Sequence, residues 1–491
     1  MNYSEFLKMG PEIALVLALV IMFVADFVLH KSESKCKSLF QLMVALMVIS
    51  LCGTFCTAGS HPEPISAFGG LYMATPAVNV MKSILVFGSL IVVLMAQPWV
   101  EKTQRLAGEF YMLLISTLLG MFIMMSSGNF MLFFLGLETA SVPLACMVAF
   151  DKWKQNSAEG AAKYILVATF SSGVMLYGIS FIYGFTGTLY FDDVAAVLAE
   201  KCSMFDVQCS MIIMGLVFFF SGLGFKISLV PFHFWTADTY EGAPTPVTGY
   251  LSVISKGAAA LTLFIILNKA FASMSYYWHP MLWVVIVLSI TIANLFAIRQ
   301  SELKRFMAFS SISQAGYIML ALIGSNGQSG AAALMFYVLV YVVANMAVFT
   351  VISAVEHNGG TTRMDAFNGL YQTNPKLAFL MTLALFSLGG IPPFAGMFSK
   401  FFVFLAAVDG NTADPFWSYF VVFIALVNTV VSLYYYLLIV KAMYIRAEEH
   451  PLPTFRTDTA TKLSLAVCTA GIALFGICSC IYDWLYASSG M

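Results

Sequence analysis

Residues 222–256, GLGFKISLVPFHFWTADTYEGAPTPVTGYLSVISK, run from inside one long apolar segment into the next. Lys226 and Lys256 fall at depths where an ammonium group costs about 2.5–3.5 kcal/mol on insertion scales. Pro231 falls where a membrane helix would otherwise be continuous, and proline removes an amide donor and clashes with the preceding turn. The freed carbonyls need protein or water partners, so such a break is tolerated at membrane depth where it lines a cavity. The stretch therefore predicts a discontinuous membrane helix built around charges, and ionisable groups inside a bilayer are read as functional.

The composition agrees. The 491 residues are 60% apolar and 10% charged, against roughly 45–50% and 25% in soluble domains. A formal net charge of -1 points to neither nucleic acid nor an anionic surface as partner, leaving the lipid bilayer as the expected surroundings. A helix needs about 20 apolar residues to cross. Cutting the chain at its polar breaks gives fourteen such segments, centred near Leu19, Ala45, Gly88, Leu118, Thr139, Ser172, Leu216, Lys256, Leu288, Ser313, Tyr341, Leu388, Val427 and Gly471. The first is read as a span rather than a removable signal. Loops after odd-numbered segments hold 16 of the 24 lysines and arginines, and the opposite loops hold only Lys8, Lys201 and Lys269. Because cations concentrate in cytoplasmic loops, this predicts a multi-pass protein with both termini on the non-cytoplasmic side, and a first span read as unprocessed points to the bacterial cytoplasmic (inner) membrane.

Five basic residues remain inside apolar segments: Lys82, Lys163, Lys226, Lys256 and Lys400. Glu138, in NFMLFFLGLETASVPLACMVAF, is the natural counter-charge. A second break appears in LFSLGGIPPFAGMFSKFFVFLAA, where Gly389, Gly390, Pro392, Pro393 and Gly396 precede Lys400. The breaks fall in segments seven and twelve. Their separation of five is odd, so a five-helix repeat inserts upside down relative to its copy, as in transporters with a midplane site. The expected fold is an all-α membrane protein of 14 transmembrane helices, with two inverted five-helix repeats (TM4–8 and TM9–13) and discontinuous TM7 and TM12. The expected units are 1–108 (TM1–3), 109–268 (first repeat), 279–446 (second repeat) and 462–491 (TM14).

Each residue also has an ordinary explanation. Lys226, Lys256 and Lys400 would be anchored by carbonyls at a helix break, and Glu138 would pack as a protonated acid. Lys163 lies a few residues inside its segment and could reach the rim, and Lys82, four residues from an edge, is expected to snorkel. His233 is either a proton relay or an interfacial residue among aromatics. The nine cysteines contain no C-x-x-C and read as small buried hydrophobes; Cys202 and Cys209 share a polar loop and are placed to be bridged in an oxidising compartment. There is no P-loop, dinucleotide fingerprint, haem motif or cluster ligand set, so no cofactor is expected in this chain. Moving a charge against 100 mV takes about 2.3 kcal/mol, and that energy would come from partners or a counter-ion gradient.

FKISLVPFHFWTADTYEGAPTPVTGYLSVISK closely resembles the signature of the antiporter-like proton-translocating membrane subunits of respiratory complex I and of Mrp-type cation/proton antiporters. LFFLGLE, EGAAKYILVATFSSG, IRQSELKRFMAFSSISQAGY and SLGGIPPFAGMFSKF resemble further blocks of it in the same order, over nearly the whole chain. The N-type branch is nearest: the M-type typically has glutamate where this chain has Lys400, and the L-type continues into a long lateral helix. The resemblance implies that Glu138 is the counter-charge of Lys226, that Lys163 modulates the pair, that Lys256 is the central relay and that Lys400 is the terminal site towards the outer half-channel. The family often has a lysine or histidine in segment eleven. ALMFYVLVYVVANMAVF has neither, so a link between Lys256 and Lys400 would use Tyr341, Asn345 or water. The resemblance implies a non-redox subunit of a proton-pumping NADH:quinone oxidoreductase. FMN, iron–sulfur clusters and quinone would lie in partner subunits, and other antiporter-like and small membrane subunits of complex I would be neighbours. The alternatives are a Mrp-type antiporter subunit and a non-conducting membrane scaffold.

Overall fold

The computed structural model describes residues 3–29, 34–60, 63–103, 106–201, 209–324, 326–409, 415–446, 452–478 and 480–490. They form helices α1 (Gly10–Val28), α2 (Lys35–Ser60), α3 (Pro76–Thr103), α4 (Ala107–Met125), α5 (Phe130–Val148), α6 (Gln155–Thr186), α7 (Phe191–Lys201), α8 (Cys209–Ile227), α9 (Phe234–Gly242), α10 (Thr245–Tyr250), α11 (Lys256–Lys269), α12 (Ser275–Ala297), α13 (Leu303–Met319), α14 (Gly327–Gly359), α15 (Leu370–Thr373), α16 (Pro375–Gly389), α17 (Ala395–Val408), α18 (Pro415–Tyr444), α19 (Thr459–Ile477) and α20 (Cys480–Ala487). Helices dominate because a backbone in hydrocarbon must satisfy its own polar groups.

Among the described residues, twelve helical stretches are long and apolar enough to cross a membrane, with Thr245–Lys269 counted as one. This is two fewer than the fourteen segments expected. Segment twelve is divided into two short helices, α16 and α17, and segment ten, α13, has only 17 residues and opens on Leu303-Lys304-Arg305. The fold also departs from all-α at one point. Ile65–Ala67 pairs antiparallel with Tyr72–Ala74, joined through Gly69 and Gly70 at φ +65° and +89°, which glycine adopts without a Cβ clash. The suggested Cys202–Cys209 bridge lies outside the described residues, since Cys202 is not among them.

Helix α3, grouped with residues 1–108 from the sequence, is an interior helix, with 89% of its most apolar window buried. It packs against α14, α19 and α10. Gly88 permits the approach to α14 and to the turn after α10: a Cβ there would stand 3.2 Å from Val342 Cγ1 and 2.3 Å from Ile254 Cδ1. Helix α14 is 94% buried by the same measure, as expected of a helix hydrophobic on every side. Helices α1 and α18 instead present Leu17, Phe23, Phe27, Phe416, Phe423 and Val430 outward.

Helices α4 and α5 approach through small residues. A Cβ on Gly120 would lie 2.3 Å from the Ala140 amide nitrogen, and one on Gly136 would lie 2.4 Å from that of Met124. Small residues bring membrane helices to backbone contact. Gly120→Val must push α5 away, and overpacking of this kind costs about 1–3 kcal/mol. The check is the thermal unfolding midpoint of the detergent-solubilised protein, which is expected to fall; an unchanged midpoint removes the argument.

Both predicted breaks are present and end their first helix in the same way. After α8, Ser228 takes φ +67°, its amide bonds Phe225 O (3.0 Å), and the Leu229 amide bonds Gly224 O (2.8 Å). After α16, Gly390 takes φ +83°, its amide bonds Ser387 O (3.0 Å), and the Ile391 amide bonds Phe386 O (3.0 Å). Each is a Schellman stop, which satisfies terminal carbonyls without water, and each has a proline three residues after the left-handed residue, Pro231 and Pro393. Aligned on these stops, Lys226 precedes its break by two residues and Lys400 follows its own by ten. A third discontinuity had no sequence signal: Leu251–Ser255 forms a π-helical turn between α10 and α11.

Candidate functional site

Lys226 lies in the last turn of α8, next to the first break, and is 3% exposed. Its Nζ donates to Ser141 Oγ (2.8 Å) and Tyr164 OH (3.1 Å). Glu138 lies one turn before Ser141 on α5 and accepts from Ser172 Oγ at 2.5 Å. Among the described residues the lysine and the carboxylate form no direct ion pair within 4 Å; the contact of Lys226 to this helix is through Ser141. The hydroxyls of Ser141 and Tyr164 surround the ammonium group, so the acid and the base are neighbours without being clasped together.

Lys256 opens α11 directly after the π-turn and is 1% exposed. Its Nζ donates to Ser311 Oγ (2.8 Å) on α13 and lies 5.5 Å from the centre of the Tyr240 ring. Ser311 in turn reaches Tyr240 OH at 3.3 Å. Lys400, on α17, is 4% exposed. Its Nζ lies 3.4 Å from Gly389 O and 5.0 Å from the centre of the Tyr317 ring, and its stem crosses Gly390, where a Cβ would stand 3.3 Å from Cδ. The second break therefore supplies both an acceptor and room for the chain of this lysine.

The auxiliary residues are distributed around these three. Asn345 donates to Ser252 Oγ (2.6 Å) inside the π-turn, and Tyr341 OH is buried without a hydrogen-bond partner. His233 is buried beside the first break and stacks on Phe234 (4.6 Å between ring centres). Among the described residues Lys163 forms no ion pair with Glu138. It is half-buried and pairs with Glu159 (2.7 Å) and Asp238 (2.6 Å), while Arg305 holds Asp238 (2.8 Å) and Glu241 (2.7 Å). This rim network ties α6 and α13 to α9. Lys304, counted from the sequence as a loop cation, is buried and donates to Ala243 O (2.9 Å), a cation placed at the C-terminal end of α9 as the helix dipole favours.

Lys82 overturns the snorkelling expectation. It is fully buried and bonds Glu12 Oε1 at 2.6 Å; Tyr72 OH and Ser126 Oγ complete the shell of that carboxylate at 3.1 and 3.3 Å. The counter-charge removes the reason to reach for the rim. Nothing in a sequence pairs positions 12 and 82.

The sequence profile of the family described as NADH:quinone oxidoreductase/Mrp antiporter, TM matches residues 127–432. NADH-quinone oxidoreductase subunit N of Phocaeicola vulgatus is 54% identical over 488 residues, covering 99% of both chains. The subunit N of Desulforamulus reducens is 34% identical over 473 residues, covering 96% of this chain and 95% of its own. Among solved structures, a chain of respiratory complex I from Thermus thermophilus superposes with a TM-score of 0.77 at 29% identity, covering 95% of this chain and 97% of that one. A chain of the Mrp complex from Dietzia sp. shares the fold, with a TM-score of 0.83 at 19% identity and 100% and 97% coverage. With near-complete coverage at 54% identity and a family profile spanning both helix breaks, the chain belongs to the subunit N family of NADH-quinone oxidoreductase, an antiporter-like membrane protein family.

Proposed function

We propose that this chain is the proton-translocating membrane subunit N of an energy-converting NADH:quinone oxidoreductase, and that protons pass along Glu138, Lys226, Lys256 and Lys400. One observation carries the reading. Each of the three lysines is buried beside a helix discontinuity and is held by hydroxyls, a carbonyl or an aromatic face, with no carboxylate within 4 Å among the described residues. Structural burial of a lysine normally takes the form seen at Lys82, with a carboxylate clamped to it. An ammonium kept without one can lose and regain its proton as its surroundings shift.

The finer architecture follows the same reading. Counting α13 and the α16–α17 pair as crossings gives fourteen. The matching stops after α8 and α16 support inverted repeats over TM4–8 and TM9–13, and the lysine-rich loops support an orientation with both termini on the non-cytoplasmic side of the bacterial cytoplasmic membrane. FMN, iron–sulfur clusters and quinone belong to partner subunits. This chain packs among other membrane subunits and answers their redox steps by moving charge. Lys163, with Asp238 and Arg305, tunes α9 at the rim and so the field at Lys226. His233 assists at the first break.

The test is Glu138→Gln in the assembled complex, reconstituted into vesicles. The amide keeps the size and the Ser172 contact but removes the charge acting on Lys226. Protons translocated per NADH oxidised are expected to fall severalfold while NADH oxidation by an artificial acceptor is unchanged. An unchanged ratio favours a non-conducting scaffold, and purification without flavin or iron–sulfur subunits favours a cation/proton antiporter.

A further inference from the structure

A cavity of about 250 Å³ opens between α12, α13 and α18, at the end of the bundle that carries the cation-rich loops, and none of the lysines assigned to transport lines it. Ligand pockets typically hold about 300–1,000 Å³, so this one has room for part of a ligand whose remainder lies outside. Its walls are graded. One stripe of α18 supplies Tyr435, Leu438, Ile439, Ala442 and Arg446, spaced i, i+3, i+4, i+7 and i+11, which a helix places on one face. At 1.5 Å per residue the stripe runs about 16 Å, from a buried tyrosine to an exposed arginine. The deep end is apolar: Phe306 meets the Tyr435 ring edge-on at 5.3 Å, and the Tyr435 hydroxyl is already bonded to Asn294 Oδ1 (3.0 Å). The mouth is polar, with Gln300 and Asp365 beside Arg446.

The surroundings put this mouth at the membrane surface. Leu295 and Leu437, on the two flanking helices, are exposed as lipid-facing residues are. Tyr444, between Ala442 and Arg446, stacks on Tyr371 at 4.7 Å, and tyrosine is enriched where the bilayer meets water. The charges at the mouth are of opposite sign. Arg446 and Asp365 are both exposed, and among the described residues the one ion pair of Asp365 is to Arg363, at 3.3 Å. A purely anionic ligand would meet the carboxylate, and a purely cationic one the guanidinium. A phosphate and an ammonium on one headgroup answer both. Arginine takes phosphate through its fork of donors, a carboxylate takes charge-assisted bonds from an ammonium, and basic pockets between membrane helices seat lipid headgroups.

We propose that this cavity binds a phospholipid with a primary-amine headgroup, of the phosphatidylethanolamine type. Its phosphate lies on Arg446, its ammonium on Asp365, and one acyl chain follows the α18 stripe down to Phe306. Choline has no N–H to donate to Asp365, and a glycerol headgroup brings no cation, so the site discriminates among membrane lipids. The bound lipid ties the segment around Asp365 to the ends of α12 and α18.

The test uses the intact complex in detergent, a phosphatidylethanolamine carrying a photoactivatable diazirine in one acyl chain, and peptide mapping of the label. Label is expected on residues 297–306 and 435–446. Unlabelled phosphatidylethanolamine should displace it at concentrations roughly tenfold lower than phosphatidylcholine or phosphatidylglycerol, the effect of one charged hydrogen bond. Arg446→Gln, at an exposed position, should weaken labelling with the thermal midpoint unchanged. Asp365→Asn should keep the labelling but lose the preference over phosphatidylcholine, and Ala442→Phe, which fills the cavity, should abolish it. If Ala442→Phe does not assemble, the two variants at the mouth decide. Equal displacement by all three lipids, or labelling indifferent to Arg446→Gln, identifies non-specific annular lipid and overturns the proposal. Stronger displacement by phosphatidylglycerol overturns the amine assignment in favour of an anionic lipid. Absence of label from both segments, as when a neighbouring subunit fills the cavity, overturns the site.

Discussion

Lys256→Met is expected to abolish proton translocation in the assembled complex while leaving the protein folded. Its ammonium is 1% exposed with a single hydroxyl acceptor, Ser311, and one aromatic face. Replacing a poorly compensated buried charge with an apolar chain of similar length is neutral or stabilising, so the structural consequence is small or favourable. Ser311 keeps its own bond to Ala308 O (2.8 Å), so no donor is orphaned. The functional consequence is large if protons follow the proposed path, in which Lys256 stands between the Glu138–Lys226 side and Lys400, because removal of a positioned proton-transfer group costs about 10²-fold or more. The measurement is protons moved per NADH oxidised, together with the thermal midpoint. A midpoint that rises or holds with transport gone separates function from folding. A variant that pumps normally would sink the central-relay assignment.

Glu12→Ala should have the opposite profile, with a large loss of stability. Lys82 then keeps only Tyr72 OH (3.2 Å) and the ring faces of Tyr72 and Phe122. Breaking a fully buried pair by removing one partner costs about 3–5 kcal/mol, because the other charge stays behind. The carboxylate also accepts from Tyr72 and Ser126, which join the hairpin of Ile65–Ala67 and Tyr72–Ala74 to the end of α4, so the loosening should extend to α1 and to the docking of the hairpin. Membrane levels of the subunit and its thermal midpoint should both drop. Adding Lys82→Met should restore most of the loss, because the stranded ammonium is then gone. Additivity of the two substitutions in a double-mutant cycle would show that the pair does not act as a unit.

These predictions depend differently on what could be read from the chain. Pro231, Gly390 and Pro393 announce both breaks because proline and left-handed glycine are local backbone constraints, legible within a few residues. Lys226, Lys256 and Lys400 stand out because a charge inside twenty apolar residues is conspicuous whatever it touches. The π-turn at Leu251–Ser255 was not legible, since α and π turns accept the same residues and packing against α3 and α14 decides between them. Ser141, Tyr164 and Ser311 were also missed. A hydroxyl in a membrane helix is commonplace, and only its position opposite an ammonium group makes it part of a site.

By itself the sequence determined that this is a helical membrane protein with two interrupted spans, which cations lie inside, and which family its motifs resemble. Hydrophobic length, proline geometry and intramembrane charge are properties of single segments. The tertiary structure alone decided which charges are compensated. It clamped Lys82 to Glu12 across 70 positions, bonded Lys226 to the Ser141 and Tyr164 hydroxyls with no carboxylate within 4 Å among the described residues, drew Lys163 into a rim network with Asp238, and put a partnerless Tyr341 against a cavity at Lys400. Hydrogen bonds and ion pairs need their partners within about 3–4 Å. Those ångströms are set by how distant helices pack, so a buried lysine can be found in the sequence, but its role could be distinguished only in the folded chain.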